Sequence, residues 1–220
     1  MLHSYLGLVA AGLIAAQAPL QSPPIFNPGA PGAAPRVLSP TEAVALSRSG
    51  FTAADVAFMQ HMIVHHAQAV EMVALLRQHG QDATVGKLGE RIALTQEAEM
   101  EQMREWLTAR ALPLAAADPH AGHHGHQMSM DPNTPIMPGM LSPAQMTTLT
   151  AARGAAFDRL FLAGMIQHHQ GALDMVDTLM AEPDSGEDPA LSDFTTSVVA
   201  DQSAEIRRMQ SVLSDLQDPS

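Results

Sequence analysis

The spacing of apolar and polar positions along the chain predicts long helices in both halves. Helical periodicity runs over residues 52–80 and again over about 83–111, where Pro113 ends it. In the second half, the last helix runs over about residues 190–216, after a loop at residues 183–189. The pattern therefore predicts helical hairpins with short internal loops.

Two helices carry sulfur and imidazole groups on the face that a globular helix normally fills with Leu and Val. At roughly 100° per residue, one sector of the first helix contains Met62, His65, His66, Ala69 and Met72. Glu71 lies on the opposite side of that helix. In the second copy Asp174 points away from Met165, His168, His169, Ala172 and Met175. We predict that both sets are buried.

The two halves of the chain are copies of one unit. Ser39-Pro40-Thr41-Glu42 and Ser142-Pro143-Ala144-Gln145 both have the residues of a helix start, and they lie 103 residues apart. The same offset relates the two His-His pairs, and an offset of 106 residues relates Gln96 and Glu99 to Gln202 and Glu205. Two hairpins joined by one long crossover form a bundle. We therefore predict an all-α four-helix bundle built from two duplicated helical hairpins, each with a short leading helix.

A signal peptide and a spacer are predicted ahead of the bundle. Residues 1–18 contain an apolar run followed by Ala16-Gln17-Ala18, which fits a small-x-small cleavage site. The run is shorter than the roughly 20 residues that span a bilayer, and retention as an anchor is the alternative. Residues 19–38 are rich in proline, which predicts an extended linker. We expect a secreted or periplasmic protein without stable membrane insertion after signal cleavage.

The bundle is predicted to span residues 39–217, with repeat 1 at 39–112 and repeat 2 at 142–217. The intervening loop, residues 113–141, has no hydrophobic period and is expected not to build a core. Small residues and proline separate its donors, which are His120, His123, His124, His126, Met128, Met130, Met137 and Met140. His-rich tracts of this kind are typical of metal binding, and a solvated linker is the alternative.

Composition and charge exclude several functions. The formal net charge is −12 at pH 7, and the aromatic residues are six Phe, one Tyr and one Trp. Such a chain is poorly suited to phosphate contacts and base stacking, so we expect no nucleic-acid partner. The absence of cysteine excludes disulfides, thiolate catalysis and cysteine-based metal sites.

Thioether and imidazole together favour Cu(I) and, by the same softness, Ag(I). Neighbouring positions on a helix can converge on one ion, although the two adjacent His rings of each copy point about 100° apart. We predict metal ligands at Met62, His65, His66, Met72, Met165, His168, His169 and Met175. His61 belongs only to the first copy and is either a further ligand or a surface residue. Glu99 and Glu205 are predicted to accept the free imidazole N–H.

Ordinary core packing is the alternative interpretation of these residues. We prefer it for Met100, Met103, Met146, Met180 and Met209. We assign Asp55 and Asp158 first to helix starts. No nucleophile–base set, glycine-rich phosphate loop or Glu-x-x-His motif appears in the chain, so the sequence gives no positive indication of an enzyme.

The first copy reads Asp55-x-x-Phe58-x-x-x-Met62-Ile63-x-His65-His66-x-x-Ala69-x-x-Met72, then Gln96-x-x-Glu99-x-x-Met103-x-x-Trp106-Leu107. This pattern resembles the domain-of-unknown-function 305 family (DUF305) over about residues 39–217. The second copy, with Phe157-Asp158-x-x-Phe161 and Gln202-x-x-Glu205, looks like the family's other half. It departs by having Leu162, Gly164 and Ile206 where the first copy has Met59, His61 and Met100. The resemblance implies a ferritin-like helical bundle, export, Cu(I) or Ag(I) binding through Met and His, and a role in copper tolerance.

Our hypothesis from the sequence is an exported protein that sequesters copper or transfers it to another copper-handling protein. The rival is a non-metal envelope interaction protein, whose acidic surface docks a partner while its histidines only specify the core. A metal-dependent oxidase is a third, weaker option. Thermal melts with and without Cu(I) would separate the first two hypotheses, because a ligand bound only to the folded state raises the midpoint. Redox activity with bound copper would indicate the oxidase.

Overall fold

The computed structural model describes residues 24–27, 35–41, 43, 50–116 and 131–217. The chain divides into two units, Met1–Arg48 and Ser49–Ser220. In the first unit, strands β1 (Ile25–Asn27) and β2 (Arg36–Leu38) pair antiparallel. The sequence predicted only an extended linker there. Residues 40, 41 and 43 of the predicted first leading helix are helical, and the predicted signal peptide lies outside the described residues.

The second unit contains the helical bundle. Its helices are α1 (Ala53–His79), α2 (Ala83–Ala109), α3 (Pro143–Ala151), α4 (Gly154–Ala181) and α5 (Pro189–Gln217). Helix α1 packs against α2, α4 packs against α5, and the two hairpins meet mainly through α1 and α4. The predicted all-α bundle of two duplicated hairpins is confirmed, and α3 is the short leading helix of the second copy.

Local capping explains where two of the helices begin. At α1, the Thr52 hydroxyl accepts the Asp55 N–H, and the Asp55 carboxylate accepts the Thr52 N–H at 2.7 Å. At α3, Ser142 and Gln145 form the same reciprocal pair, with Pro143 at the first helical position. These bonds satisfy N–H groups that a helix start otherwise leaves free.

Two buried aspartates connect each hairpin to the other. Asp55 of α1 accepts the Gly186 N–H at 2.8 Å, in the loop between α4 and α5. Asp158 of α4 accepts the N–H groups of Gln81 at 3.1 and 3.2 Å and of Asp82 at 2.9 Å, between α1 and α2. The sequence assigned both residues to helix starts. That assignment was incomplete for Asp55 and wrong for Asp158, because a helix-period argument gives no information about the partner hairpin.

Asp188 holds the start of α5 against the end of α2. Its carboxylate accepts the Leu191 N–H and the Trp106 indole N–H, both at 3.0 Å, and pairs with Arg110 at 2.5 Å. Burial opposes ionisation of this carboxylate, but the three donors outweigh it and lower the pKa of Asp188. The Arg110 guanidinium also lies 4.1 Å from the centre of the Trp106 ring.

The apolar core consists of two clusters. One contains Met72, Ile92, Phe161 and Met165, and the other contains Met62, Met103, Ala172 and Val198. In each of the four long helices, buried polar residues separate the part that belongs to one cluster from the part that belongs to the other. These residues are His65 and His66 in α1, Gln96 and Glu99 in α2, His168 and His169 in α4, and Gln202 in α5. The bundle therefore has apolar ends and a polar middle layer.

Replacing Asp158 with Asn should destabilise the protein, because the amide offers one acceptor oxygen where the carboxylate serves two backbone N–H groups. We expect a loss of about 1–3 kcal/mol, measured as a lower midpoint in thermal or urea unfolding. Asp177→Asn, at an exposed position of the same helix, is the matched control. Equal midpoints for the two variants would contradict the connecting role of Asp158.

Candidate metal centre

The predicted donor faces of α1 and α4 point into the bundle. His65, His66, His168 and His169 are all 0 % exposed, as are Met62, Met72 and Met165. Met175 is only half-buried, and Glu71 and Asp174 are exposed, as the helical pattern requires. Four imidazoles and three thioethers are thus removed from water in the interior of one small bundle.

His65 and His168 form a close pair where the two copies meet. Their ring centres are 3.9 Å apart, with the ring planes tilted by 39°. The Nε2 of His168 lies 2.8 Å from the His65 carbonyl oxygen, and the Nε2 of His65 lies 2.9 Å from the carbonyl oxygen of Pro138. A carbonyl oxygen can only accept, so both Nε2 atoms carry the proton. Each Nδ1 is therefore left with a free lone pair.

His66 and His169 are oriented by carboxylates from the neighbouring helices. The Nε2 of His66 lies 2.7 Å from Glu99 of α2, and the Nε2 of His169 lies 2.6 Å from Glu205 of α5. Each Glu thus lies against a His in the way the sequence predicted. A carboxylate that accepts the Nε2–H fixes the ring and leaves Nδ1 as the side open to a ligand.

The Nδ1 atoms of all four histidines are buried without a hydrogen-bond partner among the described residues, and so are the amide nitrogen and oxygen of Gln96 and Gln202. A buried polar atom without a partner costs about 1–3 kcal/mol, so such a concentration calls for a ligand or water. The sequence related Gln96 to Gln202 through the repeat but assigned neither residue a role. This repetition was the signal that could have identified the layer.

Burial keeps three of the four imidazoles uncharged. Burial lowers the pKa of His65 and of His66 to about 3, with neighbouring imidazoles adding to the effect. Burial likewise lowers the pKa of His168 well below its usual range. Burial, together with the charges of Glu205 and Asp201, raises the pKa of Glu99 to about 7. Near neutral pH the rings of His65, His66 and His168 are therefore uncharged, and each can offer an Nδ1 lone pair to a ligand.

The methionines of one helix do not lie together, although the sequence analysis placed the Met and His residues of each copy on one helical face. Met62 belongs to the same apolar cluster as the half-buried Met175, whereas Met72 and Met165 belong to the other cluster. Met62 and Met72 are ten residues apart, about 15 Å along a helix. The Met and His residues of one helix therefore do not all converge on one point. Each cluster instead combines sulfur from both copies.

The donor chemistry of the layer suits a soft ion better than a hard one. Among the described residues, no three His, Asp or Glu side chains are placed to hold a metal ion together. The carboxylates of Glu99 and Glu205 are already engaged by imidazole N–H groups. The neutral donors left are the Nδ1 lone pairs, thioether sulfur and the amide oxygens of Gln96 and Gln202. The nitrogen and sulfur donors among them match soft monovalent metals.

The loop between the repeats is only partly as predicted. His120, His123, His124, His126, Met128 and Met130 lie outside the described residues. Residues 131–141, in contrast, pack against the bundle, and Met140 and Leu141 are buried. The Gln68 amide brackets Leu141, donating to its carbonyl at 2.9 Å and accepting its N–H at 2.7 Å. The expectation that the whole of 113–141 stays outside the core was therefore wrong for its last third, because polar residues of α1 supply the partners for its backbone.

Of the methionines assigned to ordinary packing, Met100, Met103 and Met209 are buried and Met146 is partly buried. Met180 is 47 % exposed, so its assignment to the core was wrong. His61 is exposed. Because Met180 is exposed, a substitution of Met180 can serve as a control for substitutions of the buried methionines.

The chain thus combines two duplicated helical hairpins with a central layer of buried histidines, and buried methionines lie on either side of that layer. These features define a class of helical bundle proteins. The chain belongs to the DUF305 family, because the model of the family described as "Domain of unknown function (DUF305)" matches residues 55–213. Among proteins of curated function, none matches this chain. In the part of the chain that the structure describes, no helix is both long and apolar enough to cross a membrane.

Solved structures with the same fold include other members of the family. A DUF305 protein of Streptomyces coelicolor is 32 % identical over 74 % of this chain and 94 % of its own, with a TM-score of 0.61. A DUF305 fragment of Deinococcus radiodurans is 32 % identical over 74 % of this chain and 97 % of its own, with a TM-score of 0.60. CopM in its Cu(I)-bound form is 26 % identical over 76 % of this chain and 98 % of its own, with a TM-score of 0.54. CopM is also known in Cu(II)-bound and Ag-bound forms.

The metal-free protein should lose stability on mild acidification. His65 and His66 have folded-state pKa values of about 3, below the unfolded value of about 6.5, so the unfolded state binds more protons between these values. Stability then falls as the pH drops through 6.5. Glu99, with its pKa raised to about 7, acts in the opposite direction and offsets about one histidine. We expect a lower melting temperature at pH 5.0 than at pH 7.5.

The variant His65→Gln with His168→Gln is the control for this prediction. Glutamine keeps an N–H donor near the Nε2 position and does not titrate, so the pH dependence should become weaker. A melting temperature of the metal-free wild type that is equal at the two pH values, or higher at pH 5.0, would contradict the assignment of neutral buried imidazoles.

Proposed function

We propose that this protein binds Cu(I), and by the same chemistry Ag(I), outside the cytoplasm and sequesters the ion or passes it to another copper-handling protein. The observation that carries the proposal is the set of four buried Nδ1 atoms that have no partner in the described part of the chain. They lie at duplicated positions, among buried thioethers. A fold that needed histidine only for packing would be more stable with these atoms hydrogen-bonded.

The candidate ligands are the Nδ1 atoms of the four histidines, at most two of them at any one ion, with sulfur from the two apolar clusters that border them. Met62 and Met175 border one end of the layer, and Met72 and Met165 border the other. Neutral sulfur and nitrogen ligands stabilise a soft monovalent cation without requiring a thiolate. Glu99 and Glu205 would act through the imidazoles that they orient.

The similarity to CopM, which has been solved with Cu(I), Cu(II) and Ag, supports metal binding as the function of this chain. Export is supported by the predicted signal peptide at residues 1–18 and by the absence of cysteine. In an oxidising compartment methionine can serve where a thiol would be oxidised.

Removing the Nδ1 lone pairs without removing the Nε2–H donors should weaken Cu(I) binding. The variant His65→Gln with His168→Gln does this, because glutamine reaches the carbonyl acceptors but has no atom equivalent to a free Nδ1. Under anaerobic conditions, with a colorimetric chelator as competitor, we expect at least a tenfold loss of Cu(I) affinity, about 1.4 kcal/mol. We also expect Cu(I) to raise the melting temperature of the wild type by more than that of the variant.

A companion variant, Met62→Leu with Met72→Leu and Met165→Leu, tests the sulfur donors while preserving apolar volume. Met180→Leu is its matched control, because Met180 is exposed. If both the histidine and the methionine variants keep wild-type affinity, the buried layer is not a copper site. The non-metal interaction protein would then be the better explanation.

The six donors of residues 120–130 are proposed as an additional capture segment. His120, His123, His124 and His126 replaced by Gln, with Met128 and Met130 replaced by Leu, should lower the number of Cu(I) ions bound per chain. The affinity of the tightest site should stay within about twofold, because that site uses other residues. Equal stoichiometry in the variant and the wild type would assign this segment a linker role.

A further inference from the structure

A groove on the surface of the bundle brings three soft donors together away from the buried histidines. It has a volume of about 320 Å³ and lies between the first half of α1 and the second half of α4. The residues that line it include His61 and Phe58 of α1, Met175 and Leu179 of α4, and Met137 and Pro138 of the crossover. His61 is exposed and the two methionines are half-buried, so an ion in solution could reach all three side chains.

The crossover segment that supplies Met137 is fixed in place. The Pro138 carbonyl accepts the Nε2–H of His65 at 2.9 Å. The side chain of Gln167 in α4 lies 3.2 Å from the carbonyls of both Gly139 and Met140. Gly171 allows the segment to approach, because a Cβ there would lie 2.2 Å from the Pro138 carbonyl oxygen. Met137 is therefore held against α1 and α4.

The comparable surface on the second copy has no such donors. Gly164 replaces His61 at the equivalent position of α4. The groove beside it, lined by Leu160, Ala163, Gly164 and residues of α3, contains neither sulfur nor imidazole. Of these two grooves, only the one beside His61 therefore combines imidazole and sulfur.

We propose that His61, Met137 and Met175 form a peripheral site for one soft monovalent metal ion, separate from the buried imidazole layer. One imidazole and two thioethers in a largely apolar groove are neutral donors suited to Cu(I) or Ag(I). The inference rests on the proposed function for the class of ion, and it assigns Met175 to the surface site. Because Pro138 lines the groove and also accepts from His65, the peripheral site lies next to the segment that covers the buried pair.

The test uses Ag(I), which avoids oxidation, on the full chain with carbon-13 labels on the methionine methyl groups. Three proteins are compared with the wild type: His61→Ala with Met137→Leu, His65→Gln with His168→Gln, and Met180→Leu as the control. We expect the Met137 and Met175 methyl signals to shift on addition of Ag(I) in the wild type and in the His65/His168 variant. The His61/Met137 variant should bind about one Ag(I) fewer per chain, and its Met175 signal should no longer shift.

The outcomes separate the two proposals. If the wild type binds Ag(I) but its Met137 and Met175 signals stay unchanged, or if the His61/Met137 variant binds the same number of ions, the peripheral site is overturned, and the buried histidine and methionine variants alone decide the buried layer. If the signals shift in the wild type while the His65/His168 variant and the Met62/Met72/Met165 variant both keep full affinity, the peripheral site stands and the buried site falls. If the wild type binds no Ag(I), both proposals fail. Melting temperatures of the metal-free variants identify any variant that has lost its fold. The Met137 and Met175 signals of the wild type test the peripheral site without any variant.

Discussion

The structure depends on a layer of polar groups that the bundle buries without fully satisfying. Within residues 50–116 and 131–217, the Nδ1 atoms of four imidazoles and the amides of Gln96 and Gln202 have no hydrogen-bond partner. The surrounding fold must compensate for this cost. It does so with an apolar cluster on each side of the layer and with aspartates that connect the two hairpins. A site that destabilises its own fold in this way is typical of function rather than of packing.

The duplication gives the layer its internal symmetry, and the crossover breaks it. His66 with Glu99 and His169 with Glu205 are equivalent pairs with nearly equal distances. The central pair is not equivalent, because His168 donates to the carbonyl of His65 while His65 donates to Pro138. The acceptor for His65 thus comes from the crossover, whereas the acceptor for His168 comes from α1. The surroundings of the central histidines therefore differ between the two copies, although the imidazole–carboxylate pairs are equivalent.

Much of this molecule was predictable from its sequence, because local rules govern helices. The repeated His-His pairs and Gln-x-x-Glu motifs were sufficient to predict a duplicated hairpin, the buried faces and the imidazole–carboxylate pairs. The axial positions were not predictable. Met62 and Met72 share a helical face, yet they lie in different clusters, since periodicity specifies an angle around a helix and not the height of its neighbour. The role of Asp158 and the packing of residues 131–141 were missed for a related reason: their partners are on elements distant in the sequence.

The low pKa values of His65 and His66 have a consequence for ligand exchange. Histidines with ordinary pKa values must release protons before they can coordinate a cation, so their affinity falls in weak acid. In His65 and His66 folding itself removes the charge from the rings. A cation coordinated by either residue would therefore displace no proton from that ring, and protons would compete for these two ligands only near pH 3. At milder acidity a bound ion would be released by unfolding of the protein rather than by protonation of His65 or His66.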